Sequence, residues 1–320
     1  MSKIQKDLVT LHSELTAALT LIEKKGGLKS RNANLTELKV NEAQSLLDRC
    51  EQIVANRNVK PQLRIIHHLA CSGGTLVSKC LAALPNIYLL SELHPTTTLH
   101  QGGGKPKFLP ADVTTQSRYA NVPHIDTLAW KLFVSNIIQT YEHIGQYSGT
   151  LIIREHTHSD YCVGEDFSDH STVARALSDH FELLRAVTLR DPIDSYISLV
   201  KNNWVHFSPG TFDEYCKRVW FFVSEYDDSQ IFRYEDFVEH PKDVMVAIAS
   251  LLNVTYDDSF IDTFGIFQVT GDSGRSGDII APRARRELTN EEKEEFTNSQ
   301  FYKLIAERFN YNSMEKKQSD

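Results

Sequence analysis

Residues 63–84, LRIIHHLACSGGTLVSKCLAAL, constrain the fold of this chain more than any other stretch. An apolar, isoleucine-containing run leads directly into Ser72-Gly73-Gly74-Thr75, and apolar residues at helical spacing follow. LRIIHHLA reads as a buried strand, CSGGT as a turn and LVSKCLAAL as a helix. This succession suits an anion: glycines let the backbone approach a ligand, successive N–H groups point inward, and the helix adds its positive end. Ser72 and Thr75 can add hydroxyl donors. A plain strand-to-helix turn would use the same residues. GxxxxGK[ST] is absent, so no lysine stands ready for a γ-phosphate.

The rest of the chain continues the alternation. NIYLLSE, TLIIREH, LLRAVTL and SQIFRY each read as strands, and a helix over DSYISLVKNNW follows the third. Strands alternating with helices predict an α/β, P-loop-type three-layer fold over residues 61–320, with a central, mostly parallel sheet flanked by helices. Ahead of it, Ile4, Leu8, Leu11, Leu15, Leu19 and Ile22 form one helical stripe that ends at Gly26-Gly27, and a second helical pattern runs from Asn41 to Ala55. Residues 1–60 therefore read as an N-terminal helical hairpin, an arm for packing or for homo-oligomerisation. His100–Pro110, with three consecutive glycines, reads as a loop.

Composition narrows the partners. Lys+Arg number 34 and Asp+Glu 42, a net charge of −8. That balance disfavours sequence-independent nucleic-acid binding, which needs many phosphate-neutralising cations. Five cysteines, an odd number without a CxxC pair, fit neither a disulfide framework nor a zinc ribbon. The charge-interrupted N-terminus is not a signal peptide, and no apolar stretch suggests a membrane span. A cytoplasmic protein is the expectation.

A second motif, Arg190-Asp191-Pro192-Ile193-Asp194-Ser195-Tyr196-Ile197-Ser198, follows LLRAVTL. An arginine at a strand end and a serine in the next helix can grip a phosphate from two sides; alternatively, Arg190–Asp194 is a local ion pair at a helix start. The two motifs in this order resemble the PAPS-dependent sulfotransferases (PAPS, 3′-phosphoadenosine 5′-phosphosulfate), over roughly Leu63 to Arg286. Cys71-Ser72-Gly73-Gly74-Thr75 resembles that family's 5′-phosphosulfate loop, and Arg190 and Ser198 fall on its 3′-phosphate Arg and Ser. Ser273, Gly274 and Arg275, followed by Arg283, Arg285 and Arg286, resemble the late loop that closes over the 3′-phosphate. Arg233-Tyr234-Glu235-Asp236-Phe237 resembles a structural element of the family. The resemblance implies sulfonate transfer from PAPS, with PAP as product and no metal. One departure stands out: Cys71 occupies the place where the family usually carries Lys or Arg.

For the reacting centre, the resemblance points to the end of TLIIREH. Alternation puts Arg154, His156 and His158 on one face and Glu155 on the other. His156 suits taking a proton from an acceptor hydroxyl, and Arg154 could supply the charge missing at Cys71. Glu92 in Ser91-Glu92-Leu93-His94 is the rival base, because its place twenty-one positions after Cys71 resembles the Arg-to-Glu spacing in tyrosylprotein sulfotransferases, whose base is that Glu; an acceptor-binding residue or a helix-start acid would equally fit. The Cys71 thiol, at a helix start, could be a nucleophile, but reads better as a small space-filling residue.

HTHSD also invites a metal, with His156, His158 and Asp160 on one face and His67-His68 at another strand end. That reading leaves the loop and Arg190/Ser198 unexplained, so no metal is expected. Two further functions stay open: a kinase-like phosphotransferase, which would need Mg²⁺, and a non-catalytic nucleotide-binding or scaffold protein. A small molecule or glycan is the expected acceptor class, but loop composition does not encode its identity.

Overall fold

The computed structural model describes residues 60–97, 99, 112–269, 279–282, 285 and 287–311. The expected hairpin (apart from Lys60), the His100–Pro110 loop, and Ser273, Gly274, Arg275, Arg283 and Arg286 lie outside the described residues.

All five expected strands form. They are β1 (Gln62–His68), β2 (Ile87–Leu93), β3 (Thr150–Glu155), β5 (Glu182–Leu189) and β7 (Ile231–Arg233). They make one sheet in the order β2-β3-β1-β5-β7, every pairing parallel. β4 (Val163–Gly164) and β6 (His206–Phe207), which sequence pattern alone does not reveal, pair separately. Two residues are too short for a periodicity.

Because β1 is central, both its faces are covered. Ile66, with Ile152 and Ala186, packs against Val77 and Leu81 of α1 (Gly74–Ala82) and against Met245 and Ile248. Leu63 and Ile65, with Leu151 and Ile153, face Ile137 of α2 (Ile125–Gln146) and Val173 of α4 (Thr172–Ser178). Two-sided burial is why these strands read as apolar runs rather than alternating ones. No described helix is long and apolar enough to cross a membrane.

β3 leads into α3 (His158–Tyr161), β5 into α5 (Pro192–Lys201), and α6 (Phe212–Ser224) follows β6. Arg218 of α6 is completely buried. Its Nε donates to Glu214 Oε1 at 2.8 Å, its Nη1 to Tyr161 O at 2.9 Å, and its Nη2 to Gly164 O at 3.0 Å and Glu165 O at 2.8 Å. One guanidinium thus satisfies the carbonyls of the irregular segment after α3, a task for a planar fork of donors rather than a point charge. Arg218→Met should lower the unfolding free energy by about 3–5 kcal/mol, because it leaves Glu214 Oε1 and the Tyr161 and Glu165 carbonyls without this buried donor. Arg218→Lys should recover only part of the loss. Urea unfolding of the three proteins checks this, and a loss below about 1 kcal/mol for the Met variant would refute it.

Candidate active site

The ends of β1, β2, β3 and β5 converge where parallel sheets place ligands, beyond the carboxyl ends of the strands. β1 leads through Leu69–Gly73 into α1. Ser72 closes this turn with both its N–H (3.3 Å) and its Oγ (2.8 Å) donating to Leu69 O. Its hydroxyl proton is therefore engaged inside the loop, where the sequence suggested a ligand donor. Cys71 and Gly73 adopt left-handed φ values of 65° and 86°. Gly73 is the N-cap of α1, and no side chain caps that helix, whereas Ser171, Asp191, Thr211 and Ser299 cap theirs. An uncapped helix start next to a glycine turn leaves backbone amides able to receive an anion.

Packing gives both glycines a second reason. A Cβ on Gly73 would lie 2.2 Å from Tyr234 Cδ2, and one on Gly74 2.4 Å from His68 Cγ. Tyr234 comes from the Arg233–Phe237 element, which therefore braces the loop. Arg190 joins the same spot. Its Nη1 donates to Cys71 O at 3.4 Å and its guanidinium carbon lies 5.2 Å from the Tyr234 ring centre. The Asp191 amide donates to Glu235 Oε1 at 3.0 Å. The loop, the Arg190 motif and Tyr234-Glu235 thus form one cluster.

The local Arg190–Asp194 pair allowed by the sequence does not form. Asp191 and Asp194 both bind Arg285, with Arg285 Nε 2.9 Å from Asp194 Oδ1 and Nη2 bonded to Asp191 Oδ2. Burial pushes the Asp191 carboxyl up despite that partner. The two carboxylates more than offset burial at Arg285 and hold its guanidinium ionised. Ser198 Oγ donates to Asp194 O at 2.8 Å, one helical turn back.

The second cluster centres on Glu92. Between Leu90 and Leu93 the β2–β3 register slips, from Leu90 opposite Ile153 to Leu93 opposite Glu155. Glu92 takes a left-handed φ of 58° at this bulge, a conformation that costs a non-glycine residue roughly 1–2 kcal/mol. The bulge aims its carboxylate at Arg154. The Arg154 side chain is fully buried; its Nη2 bonds Glu92 Oε1, and its Nη1 donates to Thr75 Oγ1 at 2.9 Å. His68 Nε2 lies 3.3 Å from Glu92 Oε1, and His156 Nε2 lies 3.6 Å from Oε2. Burial works against ionisation of Glu92, but His68, Arg154 and His156 together hold its carboxyl well below the usual range. His158 Nε2 stands 2.6 Å from His156 Nε2, and burial, with His156 beside it, pushes His158 well down.

Strand alternation thus places Arg154, His156 and Glu155 as expected. Glu155 turns away to His67 Nδ1 at 2.5 Å and Ser171 Oγ at 2.9 Å, all buried. This removes His67 from the metal set that the sequence suggested. Asp160 leaves it too: it accepts from Thr172 N at 2.8 Å and lies 3.3 Å from His94 Nε2. Sequence reasoning missed the role of His68 beside Glu92. The His-His pair at the end of β1 was its only trace.

No protein-family profile matches this sequence, and no curated protein does. Solved structures do resemble it. A sulfotransferase domain from the curacin biosynthetic pathway is 18% identical, over 80% of this chain and 100% of that one, with a TM-score of 0.46. The sulfotransferase domain of a Synechococcus olefin synthase is 17% identical, over 80% and 97%, with a TM-score of 0.44. A sulfotransferase from Alicyclobacillus acidocaldarius is 15% identical, over 78% and 94%, with a TM-score of 0.39.

Two predictions test the site's construction. Gly73→Ala should cost about 2–4 kcal/mol, from left-handed strain plus the clash with Tyr234. In a Tyr234→Ala background the cost should fall, and equal costs in both backgrounds by chemical denaturation would refute the packing role. Glu92→Gln should cost about 3 kcal/mol at neutral pH, since it leaves Arg154 buried without its carboxylate. The Glu92 carboxyl titrates below its ordinary value of about 4.3, so its contribution is complete above that pH and is lost as pH falls through the lower folded value. The stability gap between wild type and variant should therefore hold from about pH 8 to 5 and narrow only in stronger acid. A gap already closed at pH 6 would refute the ionised pair.

Proposed function

We propose that the protein transfers a sulfonate group from PAPS to a hydroxyl or amine of a small-molecule or glycan acceptor. The observation that carries this reading is the buried Arg154, bonded at once to Thr75 of the anion loop and to Glu92. The loop lacks a basic residue at Cys71, and Arg154 brings a permanent charge to the loop from the neighbouring strand. The donor set fits a nucleotide with anionic groups at both its 5′ and 3′ positions. It combines an uncapped helix start, a glycine turn shaped by Tyr234, and Arg190 beside it. The resemblance of the loop, Arg190 and Ser198 to sulfotransferase motifs supports the same reading. So does the cysteine usage, which fits a reducing, cytoplasmic setting.

PAPS supplies an activated sulfonate whose transfer breaks the bond between sulfur and the bridging phosphate oxygen. The residues' tasks follow. Thr75 and the amides opening α1 hold the 5′ end, and Arg154 neutralises charge that builds on the departing phosphate. Arg190, with Ser198 and Arg275, takes the 3′-phosphate. His156 Nε2 accepts the acceptor's proton, and the Glu92 carboxylate 3.6 Å away stabilises the imidazolium that forms. Glu92 is the weaker candidate for base, because a carboxylate held ionised by three cationic or polar neighbours has little affinity for a proton.

Arg190→Ala should weaken PAP binding strongly but adenosine 5′-phosphosulfate, which lacks the 3′-phosphate, only slightly. Equal losses in calorimetry would refute the assignment. His156→Ala should lower kcat by about 10²–10⁴-fold with PAP affinity nearly intact, while Glu92→Gln, which removes only the charge beside the imidazolium, should lower kcat by much less. The reverse pattern would move the base to Glu92.

A further inference from the structure

Three side chains in this crevice bring metal-ligating atoms together: Glu92, His156 and His158, whose ligand atoms all lie within 4.8 Å of one another. Two imidazole Nε2 atoms 2.6 Å apart cannot both present a lone pair without something positive between them. One shared proton answers this, and so does a metal ion. The Glu92 oxygens divide their work. Oε1 is taken by Arg154 and approached by His68, while Oε2 faces His156. That leaves one carboxylate oxygen for an ion and an outer partner holding the other, the arrangement by which proteins orient metal-binding carboxylates.

We propose that Glu92, His156 and His158 form a binding site for a divalent transition ion of the zinc class. Two imidazoles and one carboxylate are a donor set that binds Zn²⁺ through three protein ligands and leaves a fourth position for water or another oxygen. Zinc–nitrogen bonds are about 2.0–2.1 Å, so the two rings need to part by less than about 1 Å to reach tetrahedral spacing. The site differs from the one that HTHSD suggested, because Asp160 and His67 are engaged elsewhere and a residue of β2 replaces them. The ion would take the His156 lone pair that proton transfer needs. On the sulfonate-transfer reading it is therefore an inhibitor, released by chelation, rather than part of the catalyst.

Binding itself is the test, which keeps it separate from that reading. The full chain, stripped with EDTA and dialysed, is titrated with Co²⁺. The expected result is one equivalent of intense visible bands from four- or five-coordinate cobalt, displaced by equimolar Zn²⁺. His158→Gln and Glu92→Gln should each weaken the cobalt signal by more than about 100-fold, exceeding the effect usual for outer partners. The exposed His180→Ala should bind as wild type does. Circular dichroism of each metal-free variant shows that it is folded. If Glu92→Gln does not fold, His158→Gln alone decides. A spectrum of the aqua ion only, or unchanged affinity in folded His158→Gln, overturns the proposal. Failure of PAP to bind would leave it standing.

Discussion

A fully buried guanidinium must be matched by anions and acceptors within reach, because an unpaired charge in a protein interior costs several kcal/mol. Arg154 is that group here, with no exposed side-chain surface. Its demand for a carboxylate accounts for much of what surrounds it. The β2 strand breaks register, and Glu92 accepts a left-handed backbone so that one of its oxygens can meet Arg154. The other hand of the guanidinium reaches Thr75, which ties the glycine turn after β1 to the neighbouring strand β3.

The same economy recurs at the opposite end of the crevice. Asp191 caps its own helix through Ile193 N at 2.9 Å while also binding Arg285. Glu235 accepts from the Asp191 amide, and burial pushes the Glu235 carboxyl up. Arg190 is left facing the loop and the Tyr234 ring rather than a carboxylate. This cation lies over an aromatic face while the acids beside it in sequence, Asp191 and Asp194, are bound by Arg285. The arginines thus differ in what they bind: Arg218, Arg285 and Arg154 each meet a carboxylate, whereas Arg190 meets a carbonyl and an aromatic ring.

The histidines divide in the same way. His67 is locked with Glu155 and Ser171 on the buried side of the strand ends, and His94 with Asp160 and Thr172. His68, His156 and His158 instead surround Glu92. All five lie at strand ends or just beyond them, and composition alone does not sort them. A strand's two-residue period separates Glu155 from its neighbours. Only partners on other strands decide which histidine shares a carboxylate with which.

Local pattern was enough for the strands, the glycine turn and the face shared by Arg154 and His156. Each depends on residues within a few positions of one another: apolar runs, a permissive backbone, side-chain alternation. The Arg190–Asp194 pair, also a local inference, failed because a residue 91 positions away competes for Asp194. Glu92 joined the cluster through a bulge and a strained φ that no propensity announces. His68 reached the same carboxylate because β1 lies one strand away from β2 across β3. Strand order and register are set by the packing of the whole sheet, so contacts between strand ends, and with them the electrostatics of the crevice, were decided by tertiary structure alone.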